Sequence, residues 1–171
     1  MSSVTTERLF GRRPEPGDLE DWVRIFTDPR VDEDLWPAEL RTADKVRAML
    51  ESSIAHWDRW EFGPWTVIER AGDRIVGRVG LEHTTKFGHP EVELEWFIDP
   101  DAWGRGYATE MARAVLDHGF ATLELARIVG VTHPDNLPSQ RVLRKIGMRE
   151  EASAVHFGRR MSVFGAVHKA A

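Results

Sequence analysis

The chain has 171 residues, 42% hydrophobic and 30% charged, with a net charge of -5 and no cysteine. That balance excludes a disordered chain, a disulfide framework, thiolate metal sites and a cysteine nucleophile, and it argues against nucleic-acid or anionic-membrane partners, which select basic surfaces. The start, Met-Ser-Ser-Val-Thr-Thr-Glu, lacks a signal-peptide pattern and no apolar run approaches the ~18 residues that span a bilayer, so a cytoplasmic protein is expected.

Taken in order, residues 6–13 read as a short first strand that ends at Pro14-Glu15-Pro16-Gly17. Asp18 is placed to cap a helix over 19–27, where Leu19, Trp22, Val23 and Phe26 keep helical spacing until Asp28-Pro29 stops it. The connector 30–40 is acidic and aromatic without a period, and reads as a surface loop in which Trp36 either packs or faces a substrate. Thr42 caps a second helix over 43–60, with Val46, Met49, Leu50, Ile54 and Trp57 on one side. Runs at 65–69 and 74–81 around Ala71-Gly72-Asp73 form a hairpin. The next strand, 91–98, alternates Val92, Leu94, Trp96 and Ile98 with Glu91, Glu93 and Glu95.

A Pro-Asp turn and a loop holding Gly104 and Gly106 lead into a helix expected to start near Thr109, with Ala112, Val115, Leu116, Gly119, Phe120 and Leu123 facing in. The two glycines can take positive φ, so the loop either cradles an anion at the helix N-terminus or only turns the chain. Residues 126–132 form a buried-type strand and His133 to Pro138 a loop. A short helix over 139–146, closed by Gly147, precedes two final strands at 148–154 and 161–168. The order β-α-α-β-β-β-α-β-α-β-β describes a single α/β domain with a mixed, mainly antiparallel sheet flanked by helices.

Two segments carry a family resemblance. Trp103-Gly104-Arg105-Gly106-Tyr107-Ala108 resembles the acetyl-CoA pyrophosphate loop of the GNAT family of N-acetyltransferases, Gln/Arg-x-x-Gly-x-Gly/Ala: Gly106 and Ala108 fit, and Trp103 departs at the first position. Asn136-Leu-Pro-Ser139-Gln-Arg-Val-Leu143-Arg-Lys145-Ile-Gly147-Met148 looks like that family's Asn-x-x-Ser-x-x-x-Leu-x-Lys-x-Gly-Phe segment. The similarity spans about residues 6–168, and Trp-Gly-Arg-Gly-Tyr-Ala-Thr-Glu is most similar to the ribosomal-protein N-terminal alanine acetyltransferase branch, where tryptophan at that position is familiar.

The resemblance implies acetyl transfer from acetyl-CoA to a primary amine by direct attack, without a covalent enzyme intermediate or a metal. The amine belongs to a small molecule or to a protein or peptide N-terminus, and a homodimer is one expected assembly. A non-catalytic acyl-CoA-binding module of the same fold is the alternative. The same resemblance places the pyrophosphate on Trp103, Gly104, Arg105, Gly106, Tyr107, Ala108 and Thr109, with Arg105 as counter-charge or as a solvated residue. The pantetheine arm then lies along Trp96, Phe97 and Ile98, where the family's central strand splays at a bulge.

Glu95, then Glu93, are the candidate general bases, against the alternative of two solvated carboxylates. Ser139 is the candidate partner of the departing thiolate or a helix cap, and Asn136 contacts the pantetheine or makes an Asx turn. Tyr107, the one tyrosine, is read as structural. His133 is a loop residue or a proton relay; the other histidines lack metal-ligand spacing. Trp36 with Asp32, Glu33, Asp34 and Glu39 is expected to shape a pocket for a cationic amine.

Overall fold

The computed structural model describes residues 3–31, 38–86, 88–156 and 158–168. The chain runs β1 (Ser3–Thr5), β2 (Leu9–Arg12), α1 (Leu19–Phe26), α2 (Ala43–Trp60), β3 (Pro64–Glu69), β4 (Arg74–Thr84), β5 (Glu91–Ile98), α3 (Tyr107–Ala121), β6 (Arg127–Thr132), α4 (Leu137–Lys145), β7 (Arg149–His156) and β8 (Arg159–Val167). One eight-stranded sheet holds the strands in the order β1-β2-β3-β4-β5-β6-β8-β7. Every described pairing is antiparallel except β5 with β6.

Alternation along the strands sends two sets of side chains to opposite faces. On one face, α3 and α4 cover Val79, Leu81, Leu94, Ile98, Ile128 and Phe164, with Met111, Val115 and Leu143 supplied by the helices. Gly119 of α3 lets the helix approach closely: a Cβ there would meet Ile128 and Leu81 at 2.6 and 2.8 Å. On the other face, α1 and α2 bring Trp22, Ile25, Phe26, Val46 and Leu50 together, and Phe97 stacks on Phe26 with ring centroids 4.2 Å apart. No helix among the described residues is long and apolar enough to cross a membrane.

Three boundaries differ from the sequence reading for identifiable reasons. The expected strand over 6–13 is a tight hairpin, because the Thr6 N–H and hydroxyl both turn back onto the Leu9 carbonyl. Helix α3 starts at Tyr107, before Thr109, since Gly106 at φ 82° is its cap. Helix α4 starts at Leu137, before Ser139, because the Asn136 side chain accepts the Ser139 N–H at 3.1 Å and Pro138 fits the first turn, where its missing donor has no role. Thr42 caps α2 as expected.

Asp18 precedes α1 but makes no side-chain cap bond to it. Only 2% exposed, its carboxylate instead accepts from Arg12 at 2.5 and 3.0 Å, from the Glu15 N–H at 3.0 Å and from the Thr66 hydroxyl at 2.6 Å. Thr66 in turn accepts the Trp22 indole N–H at 3.2 Å, so one buried carboxylate ties α1 to β2 and β3. Breaking such a pair leaves its partners unmet, and the partial exposure of Arg12 moderates the loss. Asp18→Ala is expected to lower the stability by about 3 kcal/mol in urea unfolding, with acetyl-CoA affinity per folded molecule unchanged in calorimetry.

Candidate active site

The site begins where the sheet parts. Strands β4 and β5 stay in register over eight pairs, from Thr84 opposite Glu91 to Gly77 opposite Ile98. Strands β5 and β6 share one bridge, Glu93 to Val129, and diverge beyond it. The sequence reading placed a bulge in this strand; the structure corrects that, since no register shift interrupts β5, and the opening comes from the parting of two parallel strands alone. The shift in β4 lies on its other side, where Val67 and Ile68 of β3 pair with Gly77 and Ile75. Past Glu93, β5 therefore runs without a ladder on its β6 side, an edge that an extended ligand can pair with through main-chain hydrogen bonds. Trp96, Phe97 and Ile98 offer backbone there, because their side chains pack into the two cores.

At the open end of β5 lies the glycine loop. Gly104 and Gly106 sit at φ 75° and 82°, a region in which a side chain is strained, and nothing lies within 4 Å of where a Cβ on Gly104 would project. The first bonded amide of α3 belongs to Glu110, which donates to the Gly106 carbonyl at 3.0 Å; the amides of Tyr107, Ala108 and Thr109 precede that bond. This open cradle at the positive end of a helix dipole fits a pyrophosphate. Trp103, half exposed, donates its indole N–H to the Ile98 carbonyl at 2.8 Å and so pins the loop to the strand end.

Arg105 is not held free for an anion: its guanidinium pairs with Glu69 at 2.7 Å. The buried Tyr107 donates its hydroxyl to the same Glu69, and the guanidiniums of Arg105 and Arg8 each lie 4.8 Å from its ring centroid. Arg8 also bonds Glu110 at 2.6 Å and the Arg105 carbonyl at 2.9 Å. The Tyr107 side chain is thus held by Glu69 and two guanidiniums. Its supports, Arg8 in the β1–β2 turn and Glu69 at the end of β3, are distant positions that sequence spacing does not connect to it.

The third part of the site is charged. Glu93 and Glu95 of β5 share a face with Arg78 and Glu82 of β4, and Glu82 stands opposite Glu93 in register. Arg78, 6% exposed, reaches Glu95 at 2.5 Å and Glu82 at 2.9 Å; Lys86 reaches Glu93 at 2.8 Å. Burial drives the Glu82 carboxyl up to about 7, opposed by the Arg78 charge and reinforced by a hydrogen bond to Glu95. Burial would also raise Glu95, but the Arg78 charge, the Glu82 hydrogen bond and Lys86 outweigh it and hold that carboxyl at about 2. Burial and the Glu95 charge raise Glu93 against the pull of Lys86.

The environment therefore splits neighbouring carboxylates into one firmly ionised and one poised near neutrality. Sequence reading missed Glu82, because its expected strand ended at Leu81 while β4 continues to Thr84 and carries Glu82 opposite Glu93. A cleft of about 230 Å³ is lined by Glu82, His83, Thr84, Lys86 and Glu93. Beside it, His56 of α2 contacts the Phe62 carbonyl at 2.8 Å and accepts the His83 N–H at 3.0 Å, fastening the helix end to β4. A larger recess of about 450 Å³ at Pro134, Glu150, Glu151, Ser153, Arg160 and Ser162 lies on the β7–β8 side of β6. The smaller cleft holds the opposed carboxylates Glu82 and Glu93.

Of the remaining candidates, Asn136 spends its side-chain oxygen on capping α4, and Ser139 lies half-buried in the first turn with no partner for its hydroxyl among the described residues. The cap is thus Asn136, and Ser139 is relieved of that role. His133 folds onto its own loop, where its Nδ1 accepts the Asp135 N–H at 3.3 Å. Glu39 is exposed in the short turn Ala38–Leu40; Asp32, Glu33, Asp34 and Trp36 lie outside the described residues.

Comparison with known proteins agrees with this geometry. A family model described as an acetyltransferase (GNAT) domain matches residues 8–149. The uncharacterized N-acetyltransferase YnaD of Bacillus subtilis (strain 168) is 33% identical over 151 residues, covering 86% of this chain and 83% of that protein. A GNAT-family acetyltransferase from Bacillus anthracis superposes with a TM-score of 0.81 at 25% identity, over 97% of this chain and 98% of that one. The ribosomal-protein-S5-alanine acetyltransferase from Vibrio fischeri shares the fold at a TM-score of 0.78 and 18% identity, over 97% of this chain and 96% of that one. With the family model spanning residues 8–149 and an N-acetyltransferase matched over 86% of this chain, the protein belongs to the GNAT family of acyltransferases.

Proposed function

We propose that this protein transfers the acetyl group of acetyl-CoA to the primary amine of a cationic acceptor, with Glu82 as the general base. The observation that carries the reading is the carboxylate pair gathered by the buried Arg78, Glu95 at 2.5 Å and Glu82 at 2.9 Å, on the face of the sheet beside the β5–β6 parting, where the Arg78 charge holds Glu95 low and burial raises Glu82. An ammonium cannot attack until it loses a proton, and an acceptor of that proton works best when its own affinity lies near the working pH. Glu95, the base expected from the sequence, is held too acidic by Arg78 for that task; it serves as the fixed anion that keeps the proton affinity of Glu82 high.

Acetyl-CoA supplies an activated thioester carbonyl. The protein positions it with the glycine loop, the N-terminus of α3 and the unladdered edge of β5. Glu82 takes the proton of the incoming ammonium, while Glu93 and Glu95 favour a positively charged amine over a neutral or anionic one. The hydroxyl of Ser139, at the start of α4 and without a partner among the described residues, is suited to hydrogen-bond the departing thiolate. A small-molecule amine and a protein N-terminus both satisfy this chemistry. Such a tuned pair would serve no purpose in a module that only binds acyl-CoA, which favours the enzyme.

Because Glu82 must be unprotonated to act, kcat/KM is expected to rise as pH climbs through about 7, measured by thiol release with an amine panel. Glu82→Gln should cut kcat by about 100-fold or more and remove that limb while leaving acetyl-CoA affinity intact; an unchanged rate would return the role to Glu93 or to water. Glu95→Gln removes an anion and a hydrogen bond that raise Glu82, so the limb should move to lower pH. Acetyl-CoA at 100 times its Kd should add about 2.7 kcal/mol of stability, several degrees in a thermal melt. In Gly106→Val, whose side chain is forced into left-handed backbone, most of that shift should disappear.

A further inference from the structure

We propose that Lys86 is a self-acetylation site: when no acceptor is present, its ε-amine takes the acetyl group in the same cleft. The inference rests on the transferase reading above and concerns a residue that this reading does not use.

The chain has only four lysines against nineteen arginines. Lys45 and Lys145 are exposed on α2 and α4. Lys86 is placed differently. It sits in the turn between β4 and β5, its backbone N–H bonded to the Thr84 hydroxyl at 3.2 Å, and its ammonium lies 2.8 Å from Glu93. Glu93 is 5% exposed, stands opposite Glu82 and makes the last bridge before β5 and β6 separate. A primary ammonium of this chain is therefore already held at the vertex of the parting, against the carboxylates that an external ammonium would have to reach.

The cleft of about 230 Å³ that Lys86 lines together with Glu82 and Glu93 leaves room beside its side chain.

The step balances with the groups present and acetyl-CoA. The Lys86 ammonium gives a proton to Glu82, and the freed nitrogen lone pair forms the N–C bond to the thioester carbonyl. The C–S bond breaks with its electron pair going to sulfur, and the thiolate takes up the second proton, which the acylated nitrogen gives up as it becomes the amide. The products are Nε-acetyl-lysine and coenzyme A. Burial would lower the proton affinity of Lys86, but the charges of Glu93 and Glu95 outweigh it and keep the amine protonated, so the reaction needs the base and is slow beside turnover of a free acceptor. Acetylation also removes the positive charge paired with Glu93, and leaves that buried carboxylate to an incoming ammonium.

The test incubates the full chain with acetyl-CoA alone and follows intact mass and peptide mapping over time, with acetyl-CoA binding and amine-panel turnover measured on the same preparation. The expected result is one acetyl group per chain, on Lys86, at least about tenfold faster than on Lys45 or Lys145, as proximity predicts. Its first-order rate constant should not depend on protein concentration, and it should be lost in Glu82→Gln. Lys86→Arg, which keeps the ion pair but offers no acylatable amine, should abolish the label while the melting temperature holds. Labelling spread evenly over the lysines, second-order labelling, labelling that survives Glu82→Gln, or no label on a protein that binds acetyl-CoA and turns over amines would each overturn the proposal and leave the transferase reading standing. A protein that neither binds acetyl-CoA nor releases thiol with any amine would overturn both.

Discussion

One parallel bridge, Glu93 to Val129, joins two antiparallel halves of the sheet, and the rest of the site depends on it. Parallel strands cannot be linked by a hairpin, so the chain must leave β5, cross over the sheet and return to start β6. That crossover is α3, and its first turn is the glycine-capped end that suits an anion. With so little main-chain pairing between the halves, their association falls to side chains: Gly119 lets α3 settle onto Ile128 and Leu81, and Met111, Val115 and Leu143 fill the space on either side. The sheet can thus stand open at one end without coming apart, because the hydrophobic layer under the gap is continuous.

The opposite face is organised by charge. Arg78 is buried among carboxylates in a region of low effective dielectric, where each pairing shifts proton affinities far more than it would at the surface. The outcome is asymmetric. Glu95, the tighter partner, stays ionised, and Glu82 keeps a proton until near neutrality. A second ionic group holds the loop end in place: Asp99, 1% exposed, accepts from Arg24 and Arg74 at 2.5 Å each and from the Asp101 N–H at 2.9 Å, joining α1 and β4 to the approach of the glycine loop. The stacked Arg8, Tyr107 and Arg105 do the same from the other side. The loop is fixed by contacts from three strands and a helix, which preorganises its amides for an anion.

Fold likeness at 18 to 25% identity shows how few residues this arrangement demands. The carboxylate wall beside the parting is set by individual side chains, Arg78 and Glu82 of β4 with Glu93 and Glu95 of β5.

The sequence by itself determined the element types, the helix α2 to the residue, the glycine loop and the family resemblance, because periodicity, capping residues and positive-φ glycines are local and leave their mark within a few positions. It placed Glu93 and Glu95 on one face, since alternation along one strand assigns a face. Only the tertiary structure decided what those carboxylates meet. The register of β4 against β5 brings Glu82 and Arg78 beside them, and proton affinity depends on neighbours across a ladder, not along a chain. The same holds for Asp18, taken from sequence as a helix cap and used instead as a bond between α1 and two strands, and for Arg105, expected as a pyrophosphate counter-charge or a solvated residue and paired with Glu69. Each of these side chains could satisfy its charge in several ways, and the choice was made by whichever partner the fold carried within reach.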